Sequence, residues 1–171
     1  MRAAAFSAIA LLGAATPAAA ERLTVSIEIP RHDIAEYHKP YVAVWVERAD
    51  RSVAATLAVW YKTRLKEREG EKWLKDLRQW WRRTGSDLAL PIDGVSGATR
   101  APGVQTLAFT PGEGPLAALE PGAYTLIVEA AREAGGRESV ALHFTWPAGS
   151  DTALHATGET EIGAVDLSIE P

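Results

Sequence analysis

Apolar and polar residues alternate from Leu23 to Ile29, with Leu23, Val25, Ile27 and Ile29 on one side and Thr24, Ser26 and Glu28 on the other. A period of two marks a strand with one buried face. Tyr41–Val46 and Ala55–Tyr61 are apolar, aromatic runs flanking the polar break Arg48-Ala49-Asp50-Arg51-Ser52, and together they read as a β-hairpin. Further strands are predicted at Val104–Phe109, Ala123–Glu129, Glu138–Trp146 and Ile162–Ile169, with Pro121-Gly122 as a turn ahead of one of them. About seven short strands separated by turn signals predict a mainly β fold, an antiparallel, immunoglobulin-like β-sandwich. The pattern leaves the strand order open.

One segment has a different period. From Glu71 to Arg83 the residues Trp73, Leu74, Leu77, Trp80 and Trp81 fall on one face of an α-helix, while Lys72, Lys75, Arg78, Arg82 and Arg83 line its other faces. Gly85 is placed to stop it. The spacing predicts one Trp-rich helix in an inter-strand connection. Aromatic stripes are usually core, so this helix is expected to cap one end of the sandwich with its three tryptophans buried. The alternative keeps one tryptophan at the surface for a flat ligand.

The N-terminal region predicts export. Met1-Arg2, an Ala/Leu-rich stretch to Gly13 and the small residues Pro17-Ala18-Ala19-Ala20 make a cleavable signal peptide over residues 1–20, with Glu21 as the mature N-terminus in a Gram-negative periplasm. That apolar run is shorter than the roughly 20 residues a spanning helix needs, and no later stretch qualifies, so a chain that does not span the membrane is expected. Residues 21–171 are the length of one β-sandwich domain. The chain contains no cysteine, which excludes disulfides, thiolate metal sites, iron–sulfur clusters and thioether-linked haem.

Charge narrows the partners. Without the signal the chain carries 17 basic and 22 acidic residues, a balance that argues against nucleic acid. Lys62–Arg83 nevertheless holds nine basic and four acidic residues, a basic patch on an acidic body.

Some ten residues beyond that patch lies "DGVSGAT", residues 93–99, between Pro91 and Pro102-Gly103. An exposed loop, not a strand, is expected here. The stretch resembles the flavin attachment motif of the FMN-binding subunits of sodium-pumping NADH:quinone reductases and their Rnf relatives. That resemblance implies that a periplasmic flavin transferase joins FMN, through its phosphate, to the Thr99 hydroxyl. It also implies that Ser96, Gly97 and Ala98 are the small residues admitting the transferase, and that Asp93 is the upstream acid. Arg100, next to the acceptor, together with Arg82 and Arg83, is expected to pair with the FMN phosphodiester, while the Trp-rich helix stacks the ring. Arg100-Ala101-Pro102 departs from the Thr/Ser-rich continuation of that motif.

A broader resemblance spans most of the mature chain. "YVAVWVERAD…TLAVW", "WLKDLRQWWRR", "DGVSGATRAPG" and "PGAYTLIVEAAREAGGRE" are, in this order, similar to the predicted periplasmic proteins of domain-of-unknown-function family twenty-two seventy-one. Members of that family often accompany PepSY-type membrane reductases and flavin transferases. The resemblance implies extracytoplasmic electron transfer, with FMN as cofactor and a membrane-bound reductase as partner.

Other chemistry has weaker support. His32 and His38 sit near Asp33 and Glu36 and are the candidates for a metal site of N and O ligands, although their spacing follows neither helix nor strand. His143 falls in a predicted strand, where a structural role is commoner. Ser96 lies in V-S-G and not in a G-x-S-x-G elbow, so no hydrolytic activity is expected. Two functions stand: an electron carrier with FMN on Thr99, more carrier than stand-alone enzyme, and a non-catalytic periplasmic binding or accessory module without cofactor.

Overall fold

The structure, a computed structural model, describes residues 22–171, so the expected signal peptide and the residue at its cleavage site lie outside the described residues. Among the described residues nine strands form two sheets packed face to face. The first holds β5 (Gly103–Phe109), β1 (Arg22–Ile29), β9 (Ala164–Glu170) and β8 (Thr152–Thr157), in that order. The second holds β4 (Ser96–Ala98), β3 (Val53–Tyr61), β2 (Tyr41–Arg48), β6 (Gly122–Ala131) and β7 (Arg137–Trp146).

The sandwich expected from the alternating pattern is present. Leu23, Val25, Ile27 and Ile29 of β1 face Val44, Val46, Leu57, Leu126 and Val128 of the other sheet in one core. Every pairing is antiparallel except one. β4 runs parallel to β3, Val59 opposite Ser96, Trp60 opposite Gly97 and Tyr61 opposite Ala98. The expectation that residues 93–99 form no strand is therefore corrected for Ser96–Ala98. These small residues carry no strand propensity, and they pair because the turn at Asp93-Gly94, with Gly94 at φ 73°, lays them along β3.

β2 is buried over Tyr41–Glu47 and has two covered faces. One faces the sandwich core, and the other faces a second core containing Tyr41, Ala43, Trp45, Val59, Tyr61 and Ile127. The cover over this second face is the Trp-rich segment, which packs Leu74, Leu77 and Trp80 against it. It lies across the outer face of the five-stranded sheet and does not cap an end of the sandwich as expected. Nor is it one helix. A stretch of 3₁₀ turns at Lys66–Asp76 is followed by a six-residue α-helix, α1 (Arg78–Arg83), with Leu77 at φ −75°, ψ 71° between them. The apolar spacing identifies Leu74, Leu77 and Trp80 as buried, because 3₁₀ and α turns both bring residues three and four apart to one side, but the expectation that all three tryptophans are buried is corrected. Trp80 is fully buried, Trp81 half-buried and Trp73 exposed.

Two carboxylates, one buried and one half-buried, tie the layers together. Glu129 of β6 accepts the backbone N–H groups of Gln79 and Trp80 at 2.9–3.0 Å, so it caps α1 from the sheet beneath. Glu138 accepts the N–H groups of Glu159, Thr160, Glu161 and Ile162 and fixes the turn before β9. Burial works to raise the Glu138 carboxyl, but these four donors outweigh it and hold it below the usual carboxylate range.

Candidate functional site

The stretch 93–99 is positioned by β3. Val95 is buried in the second core, and its carbonyl accepts from Val59 N at 2.9 Å. Ser96 Oγ accepts from Ile92 N at 2.9 Å, which closes the turn and engages this hydroxyl in the loop's own structure. Thr99 N donates to the Tyr61 carbonyl at 3.2 Å, one step beyond the last ladder pair. No hydrogen bond occupies the Thr99 hydroxyl among the described residues, and Thr99 is partly exposed. Of the two hydroxyls in the motif, Thr99 therefore carries the uncommitted one.

The neighbours of Thr99 leave it accessible. Asp93, Gly94 and Ala98 are exposed. Gly97 faces the Trp60 ring so closely that an added Cβ would stand 3.3 Å from Trp60 Cδ1. The Arg100 guanidinium lies 5.2 Å from the centroid of the same ring, a cation–π contact that holds this charge beside Thr99. A phosphate ester on Thr99 fits this set: a hydroxyl on a firmly held backbone, small residues on the approach and a fixed cation one residue away.

Arg82 and Arg83, expected at the phosphodiester, are not there. Arg83 Nε lies 3.4 Å from Glu47 at the far end of β2, six residues and roughly 20 Å from the Tyr41 end beside which Thr99 sits. Arg82 is exposed on α1, with its Nε donating to the Arg78 carbonyl at 3.1 Å. The cause is direction: α1 runs away from the Thr99 end of the sheet, so its last turn reaches the opposite end.

Across β3 from Thr99, which is not itself a lining residue, the structure opens a cleft of about 520 Å³, walled by the 3₁₀ segment on one side and the Arg132–Gly136 turn on the other. Tyr41, Lys62 and Trp73 line it. Lys62 follows directly on Tyr61, and its Nζ lies 2.9 Å from Glu133. That partner raises the Lys62 ammonium above its ordinary value and in turn lowers the Glu133 carboxyl. Tyr41 donates its hydroxyl to the Gly70 carbonyl at 3.0 Å, and burial pushes its phenol up. The sequence singles out the Trp-rich stretch but misses this cleft. The turn "AREAGGRE" supplies one wall from more than fifty residues away, and only the β2–β6 pairing brings it to Trp73.

The histidines do not converge. His32 Nε2 lies 3.5 Å from Glu161, while His38 Nε2 lies 3.4 Å from Glu36 and its Nδ1 3.5 Å from Glu133. Glu161 is already engaged by Arg132 at 2.8 and 2.9 Å and by Gly136 N at 2.7 Å. Among the described residues no group of three or more His, Cys, Asp or Glu side chains is placed to hold a metal ion. His143 Nδ1 and Thr125 Oγ1 share a hydrogen bond of 2.9 Å across β7 and β6.

A family model described as a predicted periplasmic protein, DUF2271, matches residues 22–164, from the start of β1 to the start of β9. The chain belongs to this family. The matched residues include the five-stranded sheet, β1, β5 and β8 of the other sheet, the Trp-rich cover and the 93–99 stretch. The periplasmic location in the family's description agrees with the export signal expected from the sequence. Among the described residues no helix is long and apolar enough to cross a membrane. No curated protein and no solved structure matches the chain.

Proposed function

We propose that this DUF2271 protein is a periplasmic electron carrier bearing FMN esterified to Thr99. The observation that carries the reading is the contrast between two hydroxyls three positions apart: Ser96 Oγ is bonded within the loop, whereas Thr99 Oγ1 has no hydrogen bond among the described residues and stands on a backbone pinned to Tyr61. In the transfer the Thr99 oxygen attacks the flavin-side phosphorus of FAD, the pyrophosphate bond breaks, and AMP leaves with the hydroxyl proton passing to solvent. The attached flavin supplies reversible one- and two-electron chemistry. The chain's own residues hold and charge-balance it: Tyr61 anchors the backbone of Thr99, Gly97 and Ala98 leave the approach open, and Arg100 faces the phosphodiester.

A periplasmic flavin transferase is the partner this chemistry requires, and a PepSY-type membrane reductase is the electron-transfer partner the reading assigns. Intact mass after expression with an active transferase tests it. Wild type gains the mass of FMN less one water, and Thr99→Val gains nothing while keeping its fold. An unmodified wild type, or equal modification of the variant, removes the carrier reading and leaves a cofactor-free binding module.

A further inference from the structure

We propose that the cleft between Trp73 and the Arg132–Gly136 turn is a seat for a planar aromatic ring with carbonyl acceptors along its edge. In the flavin-bearing protein, and resting on the assignment of Thr99 above, it takes the isoalloxazine ring.

The first argument is the exposure of Trp73. Its neighbours Leu74 and Leu77 are fully buried and Trp80 anchors the same cover, yet Trp73 leaves 52 % of its surface in solvent at the mouth of the cleft. Packing of the segment does not need this indole. A large exposed aromatic wall in a cavity of ligand size is a stacking surface.

The second argument is charge. Lys39 and Arg78 line the cleft, and among the described residues neither is in an ion pair; Asp76, also on its wall, is a carboxylate without a cation partner, so the unpaired cations exceed the unpaired acid by one. The other cations around it are engaged: Lys62 with Glu133, Arg132 with Glu161, and Arg137 at 3.9 Å from Glu129. Two free cations beside one free indole suit a flat ring whose edge carries carbonyl oxygens and, when reduced, a negative charge. An uncharged apolar ligand would leave both cations without a role.

The third argument is that the cleft is built before any ligand arrives. Arg132 N donates to the Gly136 carbonyl at 3.0 Å, Gly135 N to the Arg132 carbonyl at 3.0 Å, and Gly136 N to Glu161 at 2.7 Å. The opposite wall is held by the Tyr41 hydroxyl on Gly70, where an added Cβ would collide with the Lys62 carbonyl at 2.1 Å. A ligand therefore meets fixed walls and little ordering cost.

The fourth argument is reach. Thr99 is hydrogen-bonded to Tyr61, and Lys62, the next residue, lines the cleft. From β4 to β2, where Tyr41 lines the cleft, is two strand spacings, about 10 Å, and to the turn after β6 three, about 14 Å. From the Thr99 oxygen through the phosphate and ribityl chain to the ring is about eight bonds, extending about 10 Å, so the near edge of the ring reaches the Tyr41 side of the cleft and the length of the ring carries it toward the turn.

The test reads flavin fluorescence, which stacking on an indole quenches. Protein made with the transferase is compared as wild type, Trp73→Ala and Arg78→Glu, with intact mass measured on each. Where the adduct is present, the tethered flavin is expected to be dim in wild type and several-fold brighter in Trp73→Ala, with Arg78→Glu between. Equal brightness in wild type and Trp73→Ala overturns the seat while leaving attachment at Thr99 standing. Where no adduct forms, the Thr99 assignment fails by itself, and free FMN titrated into the unmodified protein decides the seat. Saturable quenching that weakens about tenfold in Trp73→Ala, the change given by about 1.4 kcal/mol of lost stacking, supports it. The absence of saturable quenching, or equal affinity in the two proteins, overturns it. Far-UV circular dichroism of each variant confirms that the sandwich is intact.

Discussion

The carboxylate of Glu129, 2 % exposed on β6, accepts the backbone N–H of Trp80 at 2.9 Å. A side chain of the sheet thereby satisfies a donor at the start of the helix lying over it, which no residue of the helix itself does. Glu129→Ala leaves the N–H groups of Gln79 and Trp80 without their acceptor and is expected to cost about 1–3 kcal/mol, read from the urea unfolding midpoint. Glu129→Gln, which keeps one acceptor oxygen, falls between the two. A loss under a few tenths of a kcal/mol for the alanine variant contradicts the role given to this contact.

Trp80 and Trp73 share one segment and have opposite roles. Trp80 is fully buried between α1 and the sheet, so Trp80→Ala is expected to cost about 3–5 kcal/mol. Trp73→Ala is expected to stay within about 0.5 kcal/mol of wild type, as for an exposed side chain. Parallel thermal melts separate the two.

Ser96 and Thr99 also divide their roles. Ser96→Ala removes the acceptor for Ile92 N and is expected to lower stability by about 1 kcal/mol while retaining the flavin adduct. Thr99→Val is expected to do the reverse. Mass and melting temperature measured on both variants give a crossed pattern, and loss of the adduct in Ser96→Ala alone would move the acceptor to that residue.

Arg100 lies on Trp60 and beside the proposed ester. Arg100→Ala is expected to leave attachment intact and to lower the flavin midpoint potential only slightly, because this cation sits at the ester end of the ribityl chain and acts on the anionic reduced ring from a distance. Redox titration of the modified protein, wild type against variant, gives the sign. A raised potential would place the cation away from the flavin.

Acid lability follows from Glu138 and Glu161. In both, burial raises the carboxyl but the donors win, backbone N–H groups for Glu138 and the Arg132 guanidinium with Gly136 N for Glu161, so each lies below its unfolded value of 4.5. A lowered folded-state value contributes stability that is full above the unfolded value and is lost as pH falls through the folded one. Wild type is therefore expected to lose stability steeply below about pH 4.5. Glu138→Gln is less stable at neutral pH and has a flatter acid limb. Urea midpoints across pH 2 to 7 measure this, and a gap between the proteins that widens on acidification reverses the sign.

Where one face of a strand is buried, the sequence pattern was readable. β1 alternates because each second residue enters the core, and its burial follows the alternation throughout. β8 escaped notice because Thr152–Thr157 lies at the margin of its sheet with no fully buried residue, so its Thr, Ala, Leu and His carry little contrast. β4 escaped because Ser-Gly-Ala gives no strand signal and its pairing is imposed by β3. The two-sided burial of β2 was present in the unbroken apolar run Tyr41–Val46, which calls for a layer on each face. Reading that run together with the Trp-rich stretch would have put the cover over the sheet. In the candidate site, the residue types at 93–99 were legible, but the cleft was not. It depends on the register that sets Tyr41 opposite Ala131.

The three-residue parallel pairing of Ser96–Ala98 with β3 has a consequence for solubility. Without it, the C-terminal end of β3, Val59-Trp60-Tyr61, would present unsatisfied amides and carbonyls beside two aromatic side chains, the kind of open border on which a foreign strand assembles. The sequence Ser-Gly-Ala is a poor template for further growth, since it is short and almost without side chains. The stretch proposed here as the attachment site thus also serves as a gatekeeper against self-association, and lengthening it would expose a border for aggregation.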